Sequence, residues 1–462
     1  MELTLEKLHY LQDKIEGKVY RREDPGYDEN RRTWNLAVEL KPKLIVVPKS
    51  EDDIVSAVRY AQENGFKVAV NATGHGTTKG ASNSLLISTK MLKKIVIDRE
   101  RQTAWVEAGA EWGDILKLSY PMGLAPLMGS STGISAVGYT LGGGIGWLAR
   151  KYGLSADNVN YFRMVTADGR KIRASKDENS DLYFALCGGG GSYGIVSSME
   201  INLVPVKEVY GGSLIYPSEL AKEVFLRYRG WVKSLPEELT SSLNLVNFPD
   251  LPYIPEMLRG KSFVSIKGAY CGNVEEGESH IRFWTDWKEP LLNGWKRMPF
   301  SEVDRISEDP IGPMPTYLYN VTMDELSDEV VDILIKEGLS REKQVPIMLT
   351  EIIHYGGASM RYDDRHNAYG LRKEGFIVKF VGLLLNPKIE VGILWHISNL
   401  NEELKKYKNR MVYINFAEGE VKWNLTREAY TDETYSKLLE VKEKYDPLDM
   451  FCYALNIPAK ER

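Results

Sequence analysis

Hydrophobic positions recur along this chain with two periods, and their alternation sets out its elements. Leu3 to Ile15 keeps an apolar stripe at helical spacing and leads into a polar stretch holding Pro25 and Gly26. Leu44-Ile-Val-Val47 is a short apolar run stopped by Pro48, the pattern of a buried strand. Ser50-Glu-Asp-Asp53 then resembles a capping box with Asp in the place of Glu. Ile54, Val55, Val58 and Ala61 hold one helical face apolar, and Gly65 suits the left-handed position that ends a helix. Val68-Ala-Val70 is the next strand. The segment reads as a β-α-β unit whose second strand runs directly into Asn71-Ala-Thr-Gly-His-Gly-Thr-Thr78.

Short strands and turns continue from about 85 to 206, with glycine-rich segments at 138–146 and 188–194. Between about 207 and 412 the glycines thin out. Strand patterns such as Phe263 to Gly268 and Phe376 to Leu384 mix there with helix candidates near 218–234, 275–288 and 324–337, which predicts an antiparallel sheet carrying helices. A last helix candidate spans Glu428 to Lys444.

Glycine clusters as dense as Gly138 to Trp147 and Cys187 to Gly194 lose much backbone entropy on folding, so they persist where the chain needs positive φ or a very close approach. Tight packing of strand against turn is one such use. Cradling a phosphate or a flat ring with backbone N–H groups is another. Gly189, Gly191 and Gly194 fit G-x-G-x-x-G, but Met199, Ile201 and Leu203 at period two place a strand after them, where a Rossmann turn needs a helix. No Gly-Lys-Ser/Thr closes a glycine run, which excludes a P-loop. In Thr73-Gly-His-Gly-Thr77 a histidine stands between two glycines with little bulk beside it. It is either a loop histidine in solvent or, as neutral imidazole, a nucleophile for an activated methyl group, a route to covalent flavin.

Composition narrows the partners. With 59 basic and 64 acidic residues the net charge is −5, which argues against nucleic acid and leaves small molecules as the better class. The N-terminus lacks the apolar core of a signal peptide, and no run of 18 apolar residues marks a membrane span, so a soluble, cytoplasmic protein is expected. Cys187, Cys271 and Cys452 are isolated in sequence, so neither a disulfide scaffold nor a metal site is indicated.

Tyr27 to Arg31, Trp34-Asn35, Pro48 to Asp53, Gly74-His75, Gly142 to Gly146, Arg150 to Asn158, Asp181 to Leu186, Gly188 to Val196, Tyr413 to Asn415 and Tyr445 to Phe451 follow one another in an order that resembles a known family. It is the vanillyl-alcohol oxidase superfamily of PCMH-type flavoproteins, and within it the berberine-bridge-enzyme-like oxidoreductases. The resemblance implies an α+β, two-domain fold. An FAD-binding domain of residues 1–206 would be completed by a C-terminal segment, 415–462. A substrate-binding domain of antiparallel sheet covered by helices, 207–414, would lie between them.

It also implies the cofactor, FAD, and a set of contacts. Asn71, Ala72, Thr73, Gly74, Gly76 and Thr77 resemble the loop that wraps the pyrophosphate, and His75 falls where the family attaches its histidine to the flavin. Ser131, Thr132, Gly138, Gly142, Gly143, Gly146, Trp147, Gly194, Val196 and Asn415 complete the implied cofactor-binding set. Ser131 stands where bicovalent members have a cysteine, and a serine forms no thioether, so a single link is expected. Ile134 falls at the oxygen-gating position and leaves oxygen use open. Cys187, where the family usually has a basic residue, and Asp449, in place of a common asparagine, are departures from the pattern.

The implied reaction passes hydride from substrate to flavin N5 while a protein base takes a proton from O–H or N–H. Tyr413 and Asn415, on a Y-x-N strand, and Glu351, His354 and His396, from predicted strands of the middle domain, are the candidates. The leading expectation is an oxidase or dehydrogenase acting on an alcohol or carbohydrate, with dioxygen or another acceptor. An amine or alkaloid-like C–N centre is the alternative substrate, and a redox-silent nucleotide- or ligand-binding protein the alternative from another class. The oligomeric state is open.

Overall fold

The computed structural model of the protein describes residues 10–250, 252, 256–310, 312–339, 347–362 and 365–460. Of the helix predicted over Leu3 to Ile15, residues 3–9 lie outside the described residues, and Tyr10 to Asp13 are helical.

The first sheet contains β1 (Lys18–Arg21), β2 (Leu44–Val47), β3 (Val68–Asn71) and β4 (Leu85–Ser88) in the order β1-β2-β4-β3. β1 runs antiparallel to β2, while β2 and β3 both run parallel to β4, which lies between them. The predicted β-α-β unit is thus real in its elements, with a later strand inserted at its centre. β2 and β4 are buried along their whole length, as parallel strands covered on both faces are. The helix between β2 and β3 is Glu51–Glu63, with the Ser50 side chain accepting from Asp53 N–H and Gly65 at φ 66° beyond its end. Asp53 does not close the capping box. Its carboxylate instead accepts from the N–H groups of Glu16, Gly17 and Lys49 at 2.8–2.9 Å, tying the preceding chain to the helix start.

The second sheet is antiparallel, in the order β5-β6-β9-β7-β8, from β5 (Ile95–Asp98), β6 (Thr103–Glu107), β7 (Val159–Thr166), β8 (Lys171–Ser175) and β9 (Gly194–Asn202). β9 follows the second glycine cluster, as its pattern predicted. It is buried along both faces, because it is a central strand of a sheet covered on each side. One apolar cluster joins Ile54, Ala57 and Val58 of the helix to Leu44, Val46, Leu85 and Ile87 of the first sheet and Val165 and Ile195 of the second. Met450 and Phe451 from the chain's end belong to it too, and Val68 N–H donates to Met450 C=O at 2.8 Å. The closing helix, Asp432–Tyr445, is held by fully buried Lys442, whose Nζ meets Asp446 Oδ2 at 2.6 Å and Ser192 C=O at 2.9 Å.

The third sheet is antiparallel and has eight strands: β10 (Glu208–Pro217), β11 (Leu239–Asn247), β12 (Ser262–Tyr270), β13 (Leu292–Asn293), β14 (Lys296–Pro299), β15 (Thr316–Met323), β16 (Ile347–Tyr355) and β17 (Gly375–Leu383). Their order is β13-β10-β12-β11-β16-β17-β15, with β14 also on β10. Helices Ala221–Trp231, Val274–Thr285, Asp328–Gly338 and Pro387–Leu404 pack on one face, which Leu245, Ile266, Tyr270 and Gly382 share. The other face meets the turn 411–418. This is a two-domain α+β architecture.

Candidate functional site

A cleft opens where β3 passes into the 71–78 loop. Its wall includes Asn71 through Lys79, Ser135, Gly138, Leu141, Gly142, Gly190, Gly191, Gly194, Val196, Asn415, Lys422 and Tyr453. All three glycine-rich segments converge here, together with the C-terminal segment. Gly74 has φ 82°, and a Cβ there would stand 2.7 Å from the Thr33 Cα and 2.8 Å from the Trp34 N, so only glycine lets the loop lie this close to its neighbour. Of the expected cofactor set, Ser131, Thr132, Gly143, Gly146 and Trp147 lie off this wall. Gly146 is packed on the Met128 carbonyl, Gly143 on the Tyr369 ring, and Trp147 in the main core. Lys79, Lys422 and Tyr453 line the cleft without having been singled out, because a lone Lys or Tyr in a polar segment carries no spacing signal.

His75 sits at the cleft with its ring stacked on Trp34, centroids 4.7 Å apart at 24°, and its Nδ1 is 2.9 Å from Thr73 Oγ1. Burial lowers its pKa to about 4, so the imidazole is neutral at pH 7.

Tyr413 caps, and Asn415 lies within, a short 3₁₀ turn, Ile414–Phe416, where a strand was expected. Hydrogen bonds with Tyr139 and Asn320 hold the turn on its two sides. On the cleft side, Asn415 Nδ2 donates to Tyr139 C=O at 2.9 Å and to the Tyr413 hydroxyl at 3.1 Å. The same hydroxyl accepts from the successive N–H groups of Gly144 (3.1 Å) and Ile145 (3.0 Å), which the positive φ of Gly143 and Gly144 turns toward it. Tyr413 itself is buried, and burial pushes its pKa up to about 12 despite these three donors. It is a neutral phenol at pH 7.

On the sheet side, Asn320 donates to the carbonyls of Tyr413 (3.0 Å) and Phe416 (3.1 Å) and accepts from Tyr413 N–H (2.9 Å). Asn320 ends a cross-strand row. Ser265 of β12, Asn244 of β11, Glu351 of β16, Lys379 of β17 and Asn320 of β15 are consecutive register partners, so five polar side chains share one line on the face that meets the turn. Glu351 Oε2 meets Lys379 Nζ at 2.5 Å, and its Oε1 accepts from Ser242 Oγ at 3.0 Å. Burial pushes the Glu351 carboxyl up, but Lys379 and Lys267 outweigh it and hold it below the ordinary range. Lys379 also lies 4.7 Å from the Phe416 ring. At the far end of the row Asn244 Oδ1 and Ser265 Oγ are buried with no partner within the protein.

The remaining candidates lie elsewhere. His354 projects from β16 to the helix-covered face, 3.4 Å from Arg150 Nη1, and burial lowers its pKa to about 3. His396 is not on a strand but on the helix Pro387–Leu404, 3.5 Å from Glu337. Asn386 as cap and Pro387 in the first turn were the signals for that helix. Cys187, Cys271 and Cys452 are free thiols, and among the described residues no group of His, Cys, Asp and Glu is placed to hold a metal.

Comparison with known proteins supplies the cofactor class. Residues 42–175 match the model of an FAD binding domain, and residues 412–458 match the model described as berberine and berberine like. These two stretches supply most of the cleft wall. The chain is an FAD-dependent oxidoreductase with an FAD binding domain and a berberine-like C-terminal segment. An FAD-linked oxidoreductase of Dictyostelium discoideum is 27% identical over 96% of this chain and 95% of its own. The (R)-6-hydroxynicotine oxidase of Paenarthrobacter nicotinovorans is 31% identical over 50% of this chain and 49% of its own. In fold, the xylooligosaccharide oxidase of Myceliophthora thermophila is similar at a TM-score of 0.86, 20% identity, 99% of this chain and 100% of that one. The redox-silent alternative is thereby set aside. FAD suits the residues of the cleft: buried Asn71 Oδ1 has no partner within the protein, and glycines leave the backbone open to a flat ligand. No described helix of this oxidoreductase is long and apolar enough to cross a membrane.

Proposed function

We propose that this oxidoreductase oxidises an alcohol or carbohydrate and carries its FAD on a single covalent link to His75. FAD, when bound, supplies the hydride acceptor. Asn71 to Thr77, Gly138, Gly142, Gly194, Val196 and Asn415 would hold it. The link is supported by a neutral imidazole, fixed by Trp34 and Thr73 on the cleft wall. Ser131 offers no sulfur for a second link.

The observation that carries the substrate class is the polar row. A hydroxyl both donates and accepts, and a face that carries a carboxylate and an ammonium side by side, with the buried and unpartnered Asn244 Oδ1 and Ser265 Oγ beyond them, is polar in the way a polyhydroxylated molecule requires. Among the candidates, Glu351 is the group in the row that is ionised and able to take the hydroxyl proton, and Tyr413 and Asn415 position the turn between row and cleft. An amine is the second reading, and the name of the nicotine-oxidising relative favours it. Lys379 counts against it, because it already neutralises the carboxylate a cationic amine would seek.

The test is a panel of sugars, simple alcohols and amines mixed anaerobically with the holoenzyme, followed by admission of dioxygen. Bleaching of the flavin absorbance by sugars or alcohols supports the reading, and bleaching by amines alone overturns it. The rate of recovery in dioxygen separates oxidase from dehydrogenase. A flavin released by denaturation would refute the covalent link.

A further inference from the structure

The cleft is cationic in a chain that is not. Acidic residues outnumber basic ones 64 to 59 overall, yet Lys79 and Lys422 line the cleft and no aspartate or glutamate does. Enclosure is unfavourable for both ammonium groups. Burial lowers Lys79, and it lowers Lys422 to about 8 against the opposing pull of Glu418. The two are differently compensated. Lys79 Nζ lies 3.0 Å from the centroid of the Trp423 ring, whose negative face offsets part of its charge. Glu418, the acid nearest Lys422 in influence, is occupied: its Oε2 accepts from Asn35 Nδ2 at 2.5 Å and from Thr316 Oγ1 at 2.8 Å. Among the described residues Lys422 has no ion-pair partner. Its Nζ stands 2.8 Å from where a Cβ on Gly76 would be, directly over the backbone that follows His75.

We infer that Lys422, brought by the C-terminal helix Gly419–Leu425 onto the 71–78 loop, is the counter-ion of the FAD pyrophosphate, with Lys79 as a weaker second charge. The pyrophosphate is the permanent anion of this ligand. The glycine loop supplies dipoles but no net charge, and in an enclosed site an ammonium on a phosphate oxygen forms a charge-assisted hydrogen bond stronger than a neutral one. The glycine at position 76 leaves the room the ammonium occupies. The inference rests on the FAD assignment and concerns how the two ends of the chain share the cofactor.

Reversible binding to the full chain in the His75→Ala background tests it, with FAD and riboflavin as probes and flavin fluorescence as the readout. Adding Lys422→Met is expected to weaken FAD about 10- to 100-fold, the usual worth of a hydrogen bond to a charged group. Riboflavin, which lacks the pyrophosphate, is expected to bind unchanged, and Lys422→Arg to recover most of the FAD affinity. Lys79→Met should cost less than Lys422→Met. FAD affinity unaltered by Lys422→Met, or FAD and riboflavin weakened equally, overturns the inference. Should Lys422→Met not fold, salt decides: FAD binding to the His75→Ala chain that does not weaken with ionic strength refutes the counter-ion. Failure of the FAD assignment itself looks different, since the chain retaining Lys422 would then bind neither probe.

Discussion

Trp34 lies flat against His75, and the Thr73 hydroxyl engages the imidazole's Nδ1 from within the same loop. The histidine is therefore held in place, half-buried, before any flavin reaches it. His75→Ala is expected to abolish covalent flavin, seen as loss of fluorescence from the denatured polypeptide and an intact mass equal to the bare chain. Because burial keeps the folded His75 neutral down to about pH 4, flavinylation of refolded protein should continue undiminished at about pH 5, where a free histidine with a pKa of about 6.5 is mostly protonated and unreactive. A labelling rate that falls off around pH 6.5 would contradict this.

The Tyr413 hydroxyl is surrounded by two backbone N–H groups and the Asn415 amide. Tyr413→Phe leaves those donors unpaired in a buried place, a loss of about 1–3 kcal/mol in urea unfolding. The same variant leaves the Asn415 amide with the Tyr139 carbonyl as its remaining anchor, so the anaerobic bleaching rate should fall as well. A variant that keeps both stability and rate would show that the hydroxyl is idle.

Glu351 and Lys379 form the central pair of the polar row. Glu351→Gln strands the ammonium and should destabilise the protein by about 3–5 kcal/mol, whereas the double change Glu351→Met with Lys379→Met should recover much of that loss. The folded Glu351 titrates below its ordinary value. Its contribution is therefore present above the unfolded pKa of about 4.3 and is lost as pH falls through the lower folded value. Bleaching by a sugar should hold its rate down to that region if Glu351 is the proton acceptor, and should be slowed by Glu351→Gln at every pH.

His354 predicts an acid limit of its own. Burial and the neighbouring Arg150 depress its pKa to about 3, so it stays neutral when folded while the unfolded chain takes up a proton near pH 6.5. The stability it confers is complete above about pH 6.5 and drains away as pH falls toward about 3. His354→Gln should flatten the acid side of the stability profile in thermal melts, and an unchanged slope there would rule this group out.

Asn244→Leu removes an unsatisfied buried oxygen, which by itself costs stability, together with an amide that donates to Ser242 Oγ at 3.2 Å, so the two effects oppose each other. The variant is expected to melt near the parent temperature while the KM for a polyhydroxylated substrate rises about 10-fold, the loss of one or two hydrogen bonds. A fall in stability with unaltered KM would place Asn244 in the scaffold alone.

Much of the fold was legible along the chain because its signals are local. Ser50 and Gly65 bound a helix by backbone chemistry that neighbours alone decide, Leu44 to Val47 marks a buried strand, and the period of Met199 and Ile201 distinguished a strand from a Rossmann helix. The glycines and His75 pointed to a flat ligand for the same reason, since close approach demands particular residues at particular positions. Tertiary structure decided what depends on distant partners. The turn at Tyr413 to Phe416 arises from Asn320 and Gly144, some 90 and 270 residues away. His396 rode on a helix whose cap, not its histidine, was informative. The row from Ser265 to Asn320 exists only in the register of five strands, and Lys422 reaches Gly76 only once the chain's end docks on its beginning. Cross-strand register and long-range burial are set by the sum of packing over the whole molecule, and no window of sequence contains that sum.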